Sequence, residues 1–214
     1  MRSLPSTVLH LTERANLAPI MREGLRPAAD LIAESGLPAA QHRGLLQQQR
    51  AEHARLPSGA EIRDQKPMPA SALERCVVGM SPAAWYELVN AHVFFWLDVE
   101  RLNRQRAASE PREQVALIVD TAALLAACAD RAFVTPINTG NARRRPALRS
   151  RDSFVPCSRW RREGWASEAA ALGTPVRAAS HAPVELAIRG PVPELGRCLI
   201  SAVPMPRGGM LELP

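Results

Sequence analysis

Three short apolar runs, far apart in the chain, carry side chains suited to chemistry on a ring-containing substrate. His10 lies in the first run, Phe95 and Trp96 in the middle run, and Glu185 in the last. If these runs are strands that meet at one cleft, they bring together an imidazole, an aromatic face and a carboxylate. A carboxylate in a dry cleft stabilises positive charge that develops as a bond breaks. The set therefore predicts cleavage of a glycosidic bond to a planar leaving group.

The first run predicts how the histidine is presented. Residues 8–12 alternate between apolar and polar side chains, which favours a strand. His10 and Thr12 are then expected on one face of the strand, and Leu9 and Leu11 on the other.

The remaining chain mixes helical and strand patterns without a regular βαβ repeat. Ser81 and Pro82 are typical of a helix cap and first turn. Helical patterns cover 16–24, 28–55 as one or two helices, a segment from 82, 99–108 and 121–129, and further strand patterns cover 93–97, 115–119, 184–188 and 198–203. This mixture favours one α+β domain over residues 1–204, followed by a C-terminal tail at 205–214.

Composition narrows the class of protein. The chain has 214 residues and 46% hydrophobic content, enough for one ordinary core. Its net charge of +6 comes from arginine, since Lys66 is the only lysine among 27 basic residues. Because arginine makes forked contacts with phosphate oxygens, this charge is compatible with a nucleic-acid partner.

Cysteine spacing and hydropathy give two exclusions. Cys76, Cys128, Cys157 and Cys198 show no paired spacing, which argues against a zinc site or a disulfide framework and favours buried thiols. No apolar run has the roughly 18 residues of a membrane span, and no signal-peptide pattern occurs. We therefore expect a cytoplasmic protein without a metal site.

Residues 8–25 resemble the opening of the DarT-like ADP-ribosyltransferases. The similarity joins the strand around His10 to a following Asn-Leu pair, an isoleucine and a terminal Gly24-Leu25. In that superfamily a histidine on the first strand hydrogen-bonds the ribose and nicotinamide end of NAD. The resemblance implies that His10, with Thr12 on the same face, binds NAD. The alternative is an ordinary histidine in a strand without a ligand.

The middle run resembles the strand that supplies the stacking partner for nicotinamide. That partner is usually a tyrosine, whereas the only tyrosine here, Tyr86, lies earlier in a predicted helix. The resemblance therefore implies that Phe95 or Trp96 packs on nicotinamide, with a π face but no hydroxyl. The alternative is that this run is plain core.

The last run resembles the strand that bears the catalytic glutamate of these enzymes. The resemblance covers Pro183 to Leu195 and implies that Glu185 is catalytic. It would hold a ribose hydroxyl and stabilise the oxocarbenium-like charge as nicotinamide leaves. The alternative is a strand carboxylate that faces solvent.

Arg63 resembles the arginine that contacts the NAD phosphates in DarT-like proteins. A guanidinium can clamp a diphosphate through two parallel hydrogen bonds. Pairing with Asp64 in an ordinary loop is the alternative.

The basic stretch 143–151 lies where the resembled enzymes have substrate-selecting loops. Arg149 and Arg151 in this stretch, and Asn138 in the turn before it, are the predicted substrate-binding residues. Arginines beside aromatic rings suit single-stranded nucleic acid, although a solvated loop explains the same residues.

Several signatures also match, in order, a bacterial family of unknown function. They are Arg63 to Pro67, Trp85, Val93 to Leu102, Asn138 to Gly140, and Val184 to Ala187. This second resemblance implies no activity.

Together the resemblances imply an ADP-ribosyltransferase-like domain with a split β-sheet core and flanking helices. The implied enzyme uses NAD as a substrate and modifies a DNA or RNA base. The alternatives are a noncatalytic nucleic-acid-binding module on the same fold, and a transferase that acts on a small molecule or a protein. Analogy at the level of the fold does not separate them.

Overall fold

A single antiparallel sheet of seven strands organises the protein. The computed structural model describes residues 2–109, 112–143 and 146–213. Its strands are β1 (Thr7–Glu13), β2 (Ala54–Arg55), β3 (Glu61–Ile62), β4 (His92–Trp96), β5 (Gln114–Asp120), β6 (Ala132–Thr135), β7 (Val155–Pro156), β8 (Glu185–Arg189) and β9 (Leu199–Met205). The main sheet has the order β7-β6-β8-β4-β1-β5-β9, and β2 and β3 form a separate pair. The fold is therefore a single α+β domain, as the sequence predicted.

Nine α-helices flank the sheet in the part of the chain that the structure describes. They are α1 (Leu17–Glu23), α2 (Ala28–Ala33), α3 (Ala39–Gln47), α4 (Ala70–Glu74), α5 (Pro82–Asn90), α6 (Val99–Ala108), α7 (Thr121–Cys128), α8 (Cys157–Glu163) and α9 (Ala166–Leu172). The predicted cap is confirmed, because the Ser81 side chain accepts a hydrogen bond from the Ala84 amide at 3.2 Å. No described helix has the length and apolar content to cross a membrane.

Hydrogen-bond registers show that the sheet is divided between β1 and β4. β1 pairs with β5 along its whole length, from Thr7 opposite Asp120 to Glu13 opposite Gln114. β4 likewise pairs with β8 throughout. By contrast, β1 and β4 share only one register position, Leu9 opposite Trp96. Two halves of the sheet therefore meet at one point and part beyond it, which agrees with the predicted split core.

The two faces of the sheet pack differently. One face carries a continuous cluster that includes Val8, Phe95 and Leu186. The other face carries two separate clusters, one around Trp85 and Phe154, and one around Leu9 and Leu11. The packing of Leu9 with Leu11 confirms the predicted alternation of β1.

A segment over residues 26–67, here called the cover segment, contains α2, α3, β2 and β3. It has its own small cluster around Ile32, Leu56 and Ile62. Asn16 joins it to the sheet by pairing with both backbone groups of Glu61, each at 2.8 Å. Of the one or two helices predicted over 28–55, the structure shows two, which end at Gln47, and residues 54–55 form a strand instead.

The C-terminal residues pack back onto the domain. Leu211 is buried. The Asn103 side chain pairs with the backbone of Leu211, at 2.9 Å to its carbonyl oxygen and 2.8 Å from its amide. The chain after β9 is therefore ordered against α6.

Candidate functional site

A cleft of about 730 Å³ opens where the two halves of the sheet part. Three strands, the loop at 138–141 and the cover segment line it. The lining side chains that matter below are His10, Thr12, Glu13, Arg63, Lys66, His92, Phe94, Trp96, Arg101, Arg104, Asn138, Thr139, Arg143 and Glu185. The structure therefore brings most of the predicted site residues to one cavity.

His10 enters the cleft because β1 no longer pairs with β4 beyond Leu9. Leu9, Trp96 and Glu185 share one face of the sheet, since residues directly opposite in neighbouring antiparallel strands point the same way. His10 belongs to the other face, yet it reaches across the division, where its Nδ1 lies 2.8 Å from the Phe94 carbonyl oxygen. Only a divided sheet lets these two faces meet at one cavity.

The tautomer of His10 follows from its environment. Burial lowers its pKa to about 4, so the imidazole is neutral at pH 7. Because a carbonyl oxygen can only accept, Nδ1 carries the proton. Nε2 therefore bears the lone pair and can accept a hydrogen bond from a hydroxyl group of a ligand.

Glu185 is a buried carboxyl group, with 4% of the residue exposed. Its Oε2 accepts hydrogen bonds from the Thr135 hydroxyl at 2.9 Å, the Thr139 hydroxyl at 2.9 Å and the Thr139 amide at 3.1 Å. Burial raises the pKa of Glu185 to about 7, although these bonds and the charge of Arg101 act to lower it. The group is thus poised between its neutral and ionised forms near neutral pH.

Thr135 adds a constraint on the ionisation of Glu185. Its hydroxyl lies 2.8 Å from the Ile137 carbonyl oxygen and 2.9 Å from Glu185 Oε2, but it has only one proton to donate. Glu185 Oε2 and the Ile137 carbonyl oxygen therefore compete for this one proton. The competition weakens the bond from Thr135 to the carboxylate, so Thr135 opposes the effect of burial less than a hydroxyl with a single acceptor would.

Trp96 and Phe95 occupy different environments, because neighbouring residues in a strand point to opposite faces. Trp96 lines the cleft, and its Nε1 donates to Gln105 Oε1 at 2.7 Å. Phe95 is 0% exposed and packs in the core. The predicted contact of Phe95 with a ligand is therefore not supported, whereas Phe94, on the same face as Trp96, lines the cleft.

Arg63 and Thr12 both lie in the cleft wall. Arg63 Nη2 donates to the Ser109 hydroxyl, and Nη1 has no hydrogen-bond partner among the described residues. Burial lowers the pKa of Arg63 to about 10, so it is a cation at pH 7. Asp64 pairs instead with Arg112 at 3.1 Å. One arm of the guanidinium is thus occupied, so the predicted two-pronged diphosphate clamp is not preformed.

The basic stretch 143–151 only partly reaches the cleft. Asn138 and Arg143 line it, but Arg149 and Arg151 do not. Arg149 is 1% exposed and binds backbone carbonyl oxygens, so its predicted role as a substrate contact is not supported. Arg151 is exposed and starts a short 3₁₀ turn. Arg144 and Arg145 lie outside the described residues.

Sequence reasoning missed Thr135, which donates a hydrogen bond to Glu185, and several residues of the cleft wall, among them Thr139, His92 and Phe94. The alternation of β4 could have revealed the last two, because they lie four and two residues before Trp96 and so share its face. Thr135 ends β6 and Thr139 lies in the turn that follows, and nothing in the sequence shows that they meet Glu185.

The divided sheet and the buried ionisable groups beside it define an α+β domain with a cleft that polar and aromatic side chains line. The chain belongs to DUF7002, a family of unknown function whose model matches residues 6–199. This match extends over every cleft residue named above. No curated protein and no solved structure matches the chain.

Proposed function

We propose that the protein is an NAD-dependent ADP-ribosyltransferase. The observation that carries the proposal is that His10, Trp96 and Glu185, from three distant parts of the chain, line one cleft at the division of the sheet. The cleft volume of about 730 Å³ lies within the range of about 300–1,000 Å³ that is usual for small-molecule sites.

Each side chain has a role in breaking the bond between ribose and nicotinamide. Nε2 of His10 accepts a hydrogen bond from a ribose hydroxyl, and the indole of Trp96 packs on the nicotinamide ring. Nicotinamide leaves with the bonding electron pair, and ionised Glu185 stabilises the positive charge left on the ribose. The acceptor then bonds to the same carbon and loses a proton. Arg63 supplies a cation beside the NAD phosphates.

We propose a nucleic-acid base as the acceptor. Lys66, Arg104 and Arg143 line the cleft together with Arg101. Cationic side chains at such a site attract a phosphate backbone through the release of counterions. Glu13, Glu23, Glu61 and Asp64 line the same cleft, but its cations outnumber its carboxylates, and this excess supports a polyanionic acceptor over a neutral small molecule.

A noncatalytic nucleic-acid-binding module is the second candidate. It is favoured by the position of Tyr86, which is buried in α5 and donates its hydroxyl to the Met68 carbonyl oxygen. The chain therefore has no tyrosine in the cleft to take the usual place on nicotinamide. Steeply salt-dependent binding of oligonucleotides without release of nicotinamide would distinguish this module from an enzyme.

The test is release of nicotinamide from labelled NAD, with DNA, RNA or protein added in turn as acceptor. Glu185→Gln is expected to abolish release, because it keeps the volume and removes the charge. Glu163→Gln is the matched control, since Glu163 is exposed on α8 and outside the cleft. Undiminished release by Glu185→Gln would overturn the mechanism. Transfer of label to protein alone would correct the proposed acceptor.

A further inference from the structure

The loop at residues 138–141 is held from behind by one buried guanidinium. Arg149 Nη2 donates to the Asn141 carbonyl oxygen at 2.9 Å, and Nη1 donates to the Thr139 carbonyl oxygen at 3.3 Å. The guanidinium also stacks over the Trp85 ring, with its carbon 5.5 Å from the ring centre. Arg149 thus ties the carbonyl groups of Thr139 and Asn141 to the core.

Arg149 is itself fixed by its backbone. Its amide donates to the Cys76 carbonyl oxygen, and its own carbonyl oxygen accepts from the Val78 amide, both at 2.8 Å. Arg149 is thus held by hydrogen bonds both at its backbone and at its guanidinium, so the side chain has little freedom to follow a moving loop. The position of the loop is therefore set by the core around Trp85.

On its other side the same loop holds the carboxyl group of Glu185. The Thr139 amide and hydroxyl both donate to Oε2, at 3.1 Å and 2.9 Å. Hydrogen bonds to a carboxylate are stronger than bonds between neutral groups and favour its ionised form. Thr139 therefore opposes the effect of burial on Glu185.

We propose that Thr139 and Arg149 are positioning residues for Glu185. Thr139 orients the carboxyl group and keeps it ionisable, and Arg149 acts through Thr139 by holding the loop. The consequence for turnover rests on the proposed function. The geometric claim does not, because it concerns only Glu185 and its loop.

Among the described residues, two cations interact electrostatically with Glu185 and could act through charge alone. Arg101 on α6 lies near it, and Arg149 lies behind the loop. Replacement of Arg149 by lysine separates the two explanations, because lysine keeps the charge but cannot bind two carbonyl oxygens in a planar fork. If the two hydrogen bonds from the guanidinium hold the loop, Arg149→Lys changes the titration of Glu185 although the positive charge is kept.

The experiment is a pH titration of Glu185, followed by NMR in protein with ¹³C-labelled glutamate side chains. Glu185→Gln identifies the signal by its disappearance. Thr139→Val is expected to move the midpoint to higher pH by about a tenfold change in the acid dissociation constant, because one bond to the ionised form is lost. Thr139→Ser keeps the hydroxyl and is expected to titrate like the unmodified protein. Thr121→Val is the matched control, since Thr121 is a buried threonine outside the cleft.

An unchanged midpoint in Thr139→Val would overturn the role of Thr139. Arg149→Lys is expected to raise the midpoint and to shift the amide proton signal of Thr139. An unchanged midpoint with an unchanged amide signal would overturn the role of Arg149. Hydrogen exchange can be measured in the unmodified protein. The Thr139 amide is expected to exchange slowly, and rapid exchange would refute its hydrogen bond to Glu185.

The activity arm uses the pH dependence of kcat/KM for NAD. Because the ionised carboxylate is the active form, kcat/KM should rise with pH through the midpoint seen by NMR, and Thr139→Val should shift both curves together. If no nicotinamide is released at any pH, the proposed function fails while the titration still decides the positioning claim.

Discussion

Glu185→Gln is expected to stabilise the protein at alkaline pH and to leave its stability almost unchanged at acid pH. The glutamine amide oxygen can take the place of Oε2 and keep the bonds from Thr135 and Thr139. Its nitrogen takes the place of Oε1, which lies 3.3 Å from the Thr139 amide. The substitution therefore removes an ionisation and conserves most of the local hydrogen bonding.

The magnitude follows from the difference in proton affinity between the folded and unfolded states. Burial raises the pKa of Glu185 from 4.5 to about 7, so the folded protein binds this proton more tightly. The stabilising contribution is complete below pH 4.5 and is lost as pH rises through about 7. At about 1.4 kcal/mol per pH unit, the full loss is about 3 kcal/mol. Since the group is buried, solvent screens it little.

Urea unfolding followed by tryptophan fluorescence measures this effect between pH 5 and about pH 8.5. Trp85, Trp160 and Trp165 are buried and report loss of the core. The difference in free energy of unfolding between Glu185→Gln and the unmodified protein should grow with pH, while other titrating groups cancel in the subtraction. A difference that does not change with pH would show that Glu185 has an ordinary pKa and would refute the argument.

Two further predictions concern the cleft wall and the cover segment. Trp96→Phe is expected to weaken NAD binding, measured by calorimetry. Phe95→Leu should instead leave binding intact and lower the free energy of unfolding by about 1 kcal/mol, because the core packs imperfectly around leucine. Weaker NAD binding by Phe95→Leu, with unchanged binding by Trp96→Phe, would place Phe95 in the site. Asn16→Leu leaves both backbone groups of Glu61 without their partner, at a cost of about 1–3 kcal/mol. Hydrogen exchange should then accelerate over residues 54–62, and unchanged protection there would contradict the coupling.

Local patterns determined the elements that have strong periodicity. The alternation in β1, the apolar runs of β4 and β5, and the cap of α5 were all predicted, because each depends on residues within a few positions of one another. The helices α8 and α9 were missed. Their buried faces rest on Trp160, Ala169 and Leu172, and the many arginines around the first of these obscured the pattern.

The site was predictable only in part, for a similar reason. Polar residues within apolar strands pointed to His10 and Glu185, since a polar side chain in such a place needs a partner or a role. The roles of Arg149 and Phe95 could not be read locally. Arg149 is buried by segments distant in the chain, and the side to which Phe95 points depends on the register with β8.

The sequence by itself determined which strands carry ionisable and aromatic side chains, and which face each side chain takes within its strand. Only the tertiary structure decided that β1 and β4 part after a single register position. That separation depends on packing between distant segments, and it allows His10 and Glu185, on opposite faces of one sheet, to border the same cleft.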